Sequence, residues 1–102
     1  MKVFTQSINF KADQDLLNYI EKKIGGLERF YDRIVDVEVF LKVQKTSDKE
    51  NKISEIKINI PNNELMIKKT AKTFEEAVSV SVESLKRQLE KIKEKQKKSL
   101  VS

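Results

Sequence analysis

Val35, Val37, Val39, Leu41 and Val43 occupy every second position of one segment, with Asp36, Glu38, Phe40, Lys42 and Gln44 between them. A two-residue period puts each set on its own face of a strand, so one face must be buried against another layer and the other turned toward water. The material for that layer lies on either side. Upstream, Leu16, Leu17, Ile20, Ile24, Leu27 and Tyr31 recur at spacings of three and four, which predicts a helix over residues 13–31 with Asp13 and Asp15 placed to cap it and oppose its dipole. Downstream, Phe74, Val78, Val82, Leu85, Leu89 and Ile92 form a second apolar stripe behind a capping Thr73.

The remaining segments complete a sheet. Lys2 to Asn9 mixes β-branched and aromatic with polar residues and reads as a first strand. After the polar stretch 46–51, Ile56, Ile58 and Ile60 alternate with Lys57 and Asn59 as a third strand, and Pro61, Asn62 and Asn63 mark a reversal. Leu65, Ile67, Lys69 and Ala71 then form one side of a fourth strand. The order βαβββα predicts an α+β fold resembling a double-stranded-RNA-binding domain, with two helices covering one face of a four-stranded sheet. A right-handed crossover makes the first two strands parallel neighbours if they pair. A single domain over residues 1–98 is expected, followed by a short tail at 99–102. Gly25 and Gly26 fall inside the first helix, where a kink or a close approach to the backbone would account for them.

Composition excludes much chemistry. Neither cysteine nor histidine occurs, so thiolate catalysis, sulfur-based zinc sites and Ser/His/Asp triads cannot be assembled within this chain. Adjacent acids such as Glu75 with Glu76, or the nearby pair Asp13 and Asp15, do not face one another on a helix. No Gly-rich phosphate loop or metal-ligand spacing is present. The expectation is a non-enzyme without cofactor, metal or small-molecule substrate, cytoplasmic and monomeric when free. No segment reads as a secretory signal or a membrane span. Its formal net charge of +5 draws it toward polyanions.

The positive charge is sorted along the last helix. At about 100° per residue, Arg87, Lys91, Lys95 and Lys98 share one edge, while Glu76, Glu83, Glu90 and Glu94 lie on a neighbouring one, where pairs such as Glu90 with Lys93 can form. A row of like charges repels itself and is stabilised by an external anion. As a helix, Phe74 to Lys98 would run about 37 Å, against about 20 to 24 Å for strands of about six or seven residues, so its basic end should overhang the sheet. The first helix adds Lys22 and Arg29, with Arg33 just beyond it. Aromatic residues are scarce. Phe4 and Phe40 are candidates for the open sheet face, and Phe30, Tyr31 and Phe74 for the core, a distribution that suits recognition of phosphates and RNA shape better than stacking on splayed bases.

Two stretches resemble a known family. LERFYDRIVDVEVFLKVQK, from Leu27 to Lys45, and TFEEAVSVSVESLKRQLEKIKEK, from Thr73 to Lys95, are similar to the short hibernation-promoting factors and ribosome-associated inhibitors of bacteria. The most specific pieces are Leu27-Glu28 followed by a basic and an aromatic residue, Asp32-Arg33-Ile34, and Leu85-Lys86-Arg87-Gln88-Leu89 with Lys91 after it. The resemblance implies binding to the small ribosomal subunit and its ribosomal RNA in the decoding channel, inhibiting translation under stress or in stationary phase. It further implies Lys23, Arg29, Arg87, Lys91 and Lys95 as RNA contacts. Gly26 stands where relatives often carry lysine, Ser84 where a lysine commonly precedes the Leu-x-Arg-Gln-Leu run, and Thr73 and Ser79 replace acidic positions. The chain is expected to lack the second domain that long relatives use to join ribosomes, so pairing of ribosomes is expected to need other help. A general double-stranded RNA-binding domain is the alternative, since the last five elements share its αβββα order.

Overall fold

A computed structural model describes the backbone of residues 1–101 and the side chains of residues 1–95. The order is β1 (Lys2–Ile8), α1 (Gln14–Phe30), β2 (Asp36–Val43), β3 (Lys52–Ile60), β4 (Asn63–Ala71) and α2 (Phe74–Val101). The strands form one sheet in the order β1-β2-β3-β4. β1 runs parallel to β2, with Val3 beside Val37 and Thr5 beside Val39, while β2–β3 and β3–β4 are antiparallel. The expected α+β architecture is present, including the parallel first pair.

Local chemistry sets the element ends. The Asp13 carboxylate accepts a hydrogen bond from the Leu16 amide at 2.8 Å and caps α1, and the Thr73 hydroxyl accepts one from the Glu76 amide at 3.1 Å at the start of α2. Asn9, at φ 63°, ends β1 in a left-handed conformation that asparagine tolerates well. Between β3 and β4, Pro61 precedes Asn62 at φ 64°, the residue pattern of a type II turn.

The alternation in β2 partitions as expected: Val37, Val39 and Leu41 are buried, while Asp36, Glu38 and Phe40 are half-buried on the open face. Val35 and Val43, assigned by periodicity to the buried side, are instead exposed. Val43 is the last residue of β2 and Val35 precedes its first. β3 begins earlier than its isoleucine alternation indicates, because Lys52 to Glu55 pair with Phe40–Val43 and with Lys68–Ala71. The core joins Leu16, Ile20, Ile24 and Leu27 of α1, Ile56 and Ile58 of β3, and Val78, Val82, Leu85 and Leu89 of α2 to the inner face of β2. Among the aromatics, Tyr31 and Phe74 are buried, Phe30 is half-buried and Phe4 is exposed.

Helix α1 continues through Gly25 and Gly26, neither at positive φ, and a Cβ added at either meets nothing within 4 Å. Neither glycine is required by packing or by backbone geometry within the chain. Gly25→Ala and Gly26→Ala should therefore each stabilise the fold by about 1 kcal/mol, read as a higher urea midpoint at unchanged m-value.

Candidate nucleic-acid interface

The two helices run in the same direction. Near their starts Phe10 stacks on Phe74, with ring centres 4.8 Å apart. At the far end the Lys93 ammonium donates a hydrogen bond to the Phe30 carbonyl oxygen at 2.8 Å and lies 4.8 Å from the centre of the Phe30 ring. This topology follows from the sheet: each helix runs back antiparallel to the strand before it, and β1 and β4 point the same way. Both helices therefore point their C-terminal ends toward one end of the molecule, where the last turn of α1 presents its carbonyls and negative dipole end. Cations are favoured there. Arg29 sits in the last turn of α1, Arg33 follows in the loop, and α2 carries Lys91, Lys93 and Lys95 at the same end.

With its 28 residues α2 extends about 42 Å, whereas the nine-residue strands β3 and β4 reach about 30 Å. The overhang is real but shorter than expected, because both strands are longer than their apolar patterns indicate. The molecule measures 52 × 25 × 18 Å along its principal axes.

Lys22, Lys23, Arg29, Arg33, Arg87, Lys91 and Lys95 are all exposed, and among the described residues none lies within ion-pair distance of an acid. Lys23 stands 5.7 Å from the centre of the Tyr19 ring, and the Arg87 guanidinium donates to the Ser84 hydroxyl at 3.3 Å. The side chain of Lys98 lies outside the described residues. Ion pairs are found elsewhere. On the open sheet face Lys57 reaches Glu38 at 3.7 Å and Glu64 at 3.6 Å, and Lys68 reaches Glu55 at 3.9 Å. Ion pairs thus compensate part of the charge on that face, whereas none engages these cations of the helical side.

Sequence spacing missed one residue of this surface. Lys93 has Glu90 one turn away, yet its ammonium is held by Phe30, which it meets only because the helices are parallel and adjacent. The partner is 63 positions distant in the chain, so no local spacing signals the contact. The pair Lys86–Glu83, at 3.8 Å, is the kind of local compensation that spacing does anticipate.

Among the described residues no group of acidic side chains is arranged to hold a metal ion, and no helix is long and apolar enough to cross a membrane. An exposed, uncompensated cationic surface with no clustered reactive groups is suited to holding phosphates.

Comparison with known proteins agrees with the architecture. The chain is 30% identical over 100 residues to the ribosome hibernation promoting factor of Pseudomonas putida, covering 98% of this chain and 94% of that protein. It is also 30% identical over 89 residues to the ribosome hibernation promotion factor of Bacillus subtilis, of which it spans only 46%. Among solved structures, a ribosomal subunit interface protein from Coxiella burnetii superposes with a TM-score of 0.81 at 18% identity, covering 91% of this chain and 98% of that one. The N-terminal domain of Protein Y from Thermus thermophilus superposes with a TM-score of 0.71 at 20% identity, covering 89% and 94%. Residues 3–97 match the profile described as sigma 54 modulation protein / S30EA ribosomal protein, and the chain belongs to that family.

Proposed function

We propose that this protein is a ribosome hibernation factor: it binds the small ribosomal subunit through ribosomal RNA in the decoding channel and blocks access of messenger and transfer RNA. The observation that carries the proposal is the set of cations on α1 and α2 that no acid within the described residues neutralises. Relatives named as hibernation factors over nearly the whole chain support it. Residues 1–98 act as one ribosome-binding unit, with Lys22, Lys23, Arg29, Arg33, Arg87, Lys91, Lys95 and Lys98 contacting RNA. The protein works in the cytoplasm as a monomer, without catalysis or cofactor.

Fractionation of stationary-phase extract on a sucrose gradient at low salt tests this directly. The protein should migrate with small subunits or whole ribosomes and move to the top of the gradient as salt rises. With about four of these cations set directly on phosphates, the logarithm of the binding constant should fall against the logarithm of salt with a slope of about −3 to −4. Migration only at the top at low salt would defeat the proposal. The general duplex-RNA binder, which shares the αβββα order, predicts equal affinity for free RNA duplex and intact small subunits. Competition between the two separates these functions.

A further inference from the structure

Lys93 establishes which side of α2 faces α1. Around the α2 axis, at about 100° per residue, Glu83, Glu90 and Glu94 follow about 60° to 100° from Lys93, and Arg87, Lys91 and Lys95 about 120° to 200° from it. Since α2 lies over β3 and β4, the second group looks out past the β4 edge, away from α1. On α1 the ion pair between Glu28 and the Met1 amino group, at 3.7 Å, marks the side toward the β1 edge, and Phe30 marks the side toward α2. Lys22 and Arg29 fall between those sides, on the outward surface.

The helical surface thus carries two cationic tracks. One holds Lys22 and Arg29 on α1 and the other Arg87, Lys91 and Lys95 on the far flank of α2. Exposed Glu90 and Glu94, in no ion pair among the described residues, stand between them, while Glu83 beside them is paired to Lys86 at 3.8 Å. A helix with its side chains is about 10 to 12 Å across, so the tracks are at least that far apart. An RNA strand crossing directly from one track to the other would pass Lys93, which is held at Phe30, and then lay phosphates over the Glu90 and Glu94 carboxylates.

We propose that the two tracks hold two separate stretches of phosphate backbone, kept apart by the fold of the RNA itself, and that the acidic ridge along α2 rejects unstructured RNA strands. The inference rests on RNA being the ligand, and it makes Glu90 and Glu94 specificity determinants rather than contacts. A protein with a formal charge of +5 meets abundant flexible RNA, and attraction alone would hold it there. Like-charge repulsion at the ridge penalises the flexible strand, whereas a rigid RNA with a gap between its backbones avoids the ridge.

The test compares the full-length protein, its double variant Glu90→Gln/Glu94→Gln, and the charge-matched control Asp48→Asn/Glu50→Gln in the β2–β3 loop at the opposite end of the sheet. Binding is measured to a (U)20 oligonucleotide and to purified small subunits in the same low-salt buffer. The ridge variant should bind (U)20 about 5-fold more tightly or better while its small-subunit affinity changes by less than about 2-fold, and the control should leave the ratio of the two affinities near that of the parent. An equal rise for both ligands, no rise for (U)20, or the same change of ratio in the control would overturn the proposal. If the unmodified protein fails to bind small subunits, the functional assignment falls instead, and the two failures are distinguishable.

Discussion

Reversing two charges on the far flank of α2, Arg87→Glu with Lys91→Glu, is expected to weaken binding to the small ribosomal subunit by about 100-fold or more at low salt. Each reversal removes an attraction to phosphate and adds a repulsion. Two of about four neutralised phosphates are lost, so the salt slope should drop from about −3 to −4 toward about −1 to −2. Both side chains are exposed and neither is paired to an acid within the described residues, so the fold should survive, with an unchanged far-ultraviolet circular dichroism spectrum as the check. Lys68→Glu is the matched comparison. Lys68 lies on the open sheet face beside Glu55, where charge is already compensated, and its reversal should change affinity by less than about 2-fold at low salt. Equal losses from both faces would mean that net charge, not the helical tracks, drives association. Unchanged affinity after the α2 reversal would remove the physical basis of the proposed function.

A second large effect is expected in the core. Leu89 is fully buried close to the basic end of α2, in the cluster that ties this helix to the sheet and to α1. Leu89→Ala should lower the free energy of unfolding by about 2 to 5 kcal/mol, the sum of lost transfer energy and the cavity left behind. Urea denaturation measures it. A drop of under about 1 kcal/mol would indicate that this end of α2 is not anchored as described. The variant should still bind small subunits with near-parent affinity at temperatures where it remains folded, because no cation is touched. This outcome separates the two roles of α2, which are anchoring through its apolar stripe and contact through its charged edge.

Much of the architecture was legible because local periodicity reports burial. The β2 alternation and the two apolar stripes at spacings of three and four correspond to Val37, Val39 and Leu41, to Ile20, Ile24 and Leu27, and to Val82, Leu85 and Leu89, all buried. The caps at Asp13 and Thr73 were legible for the same reason, since capping is a bond between residues three apart. The start of β3 was hidden. Lys52, Ile53, Ser54 and Glu55 show no alternation, and they are strand because Phe40–Val43 and Lys68–Ala71 provide hydrogen-bonding partners on both sides. Tertiary pairing overrides pattern there.

The cationic row Arg87, Lys91 and Lys95 is a property of the chain alone, because one helix at about 100° per residue determines which charges share an edge whatever surrounds it. Its relation to α1 is not. The parallel course of the helices, the capture of Lys93 by Phe30 and the placement of Glu90 and Glu94 between two basic tracks all depend on which sides of α1 and α2 meet. That choice is made by the order and direction of the four strands beneath them. Contacts between residues distant in the chain leave no period in the sequence, so only the folded molecule reveals them.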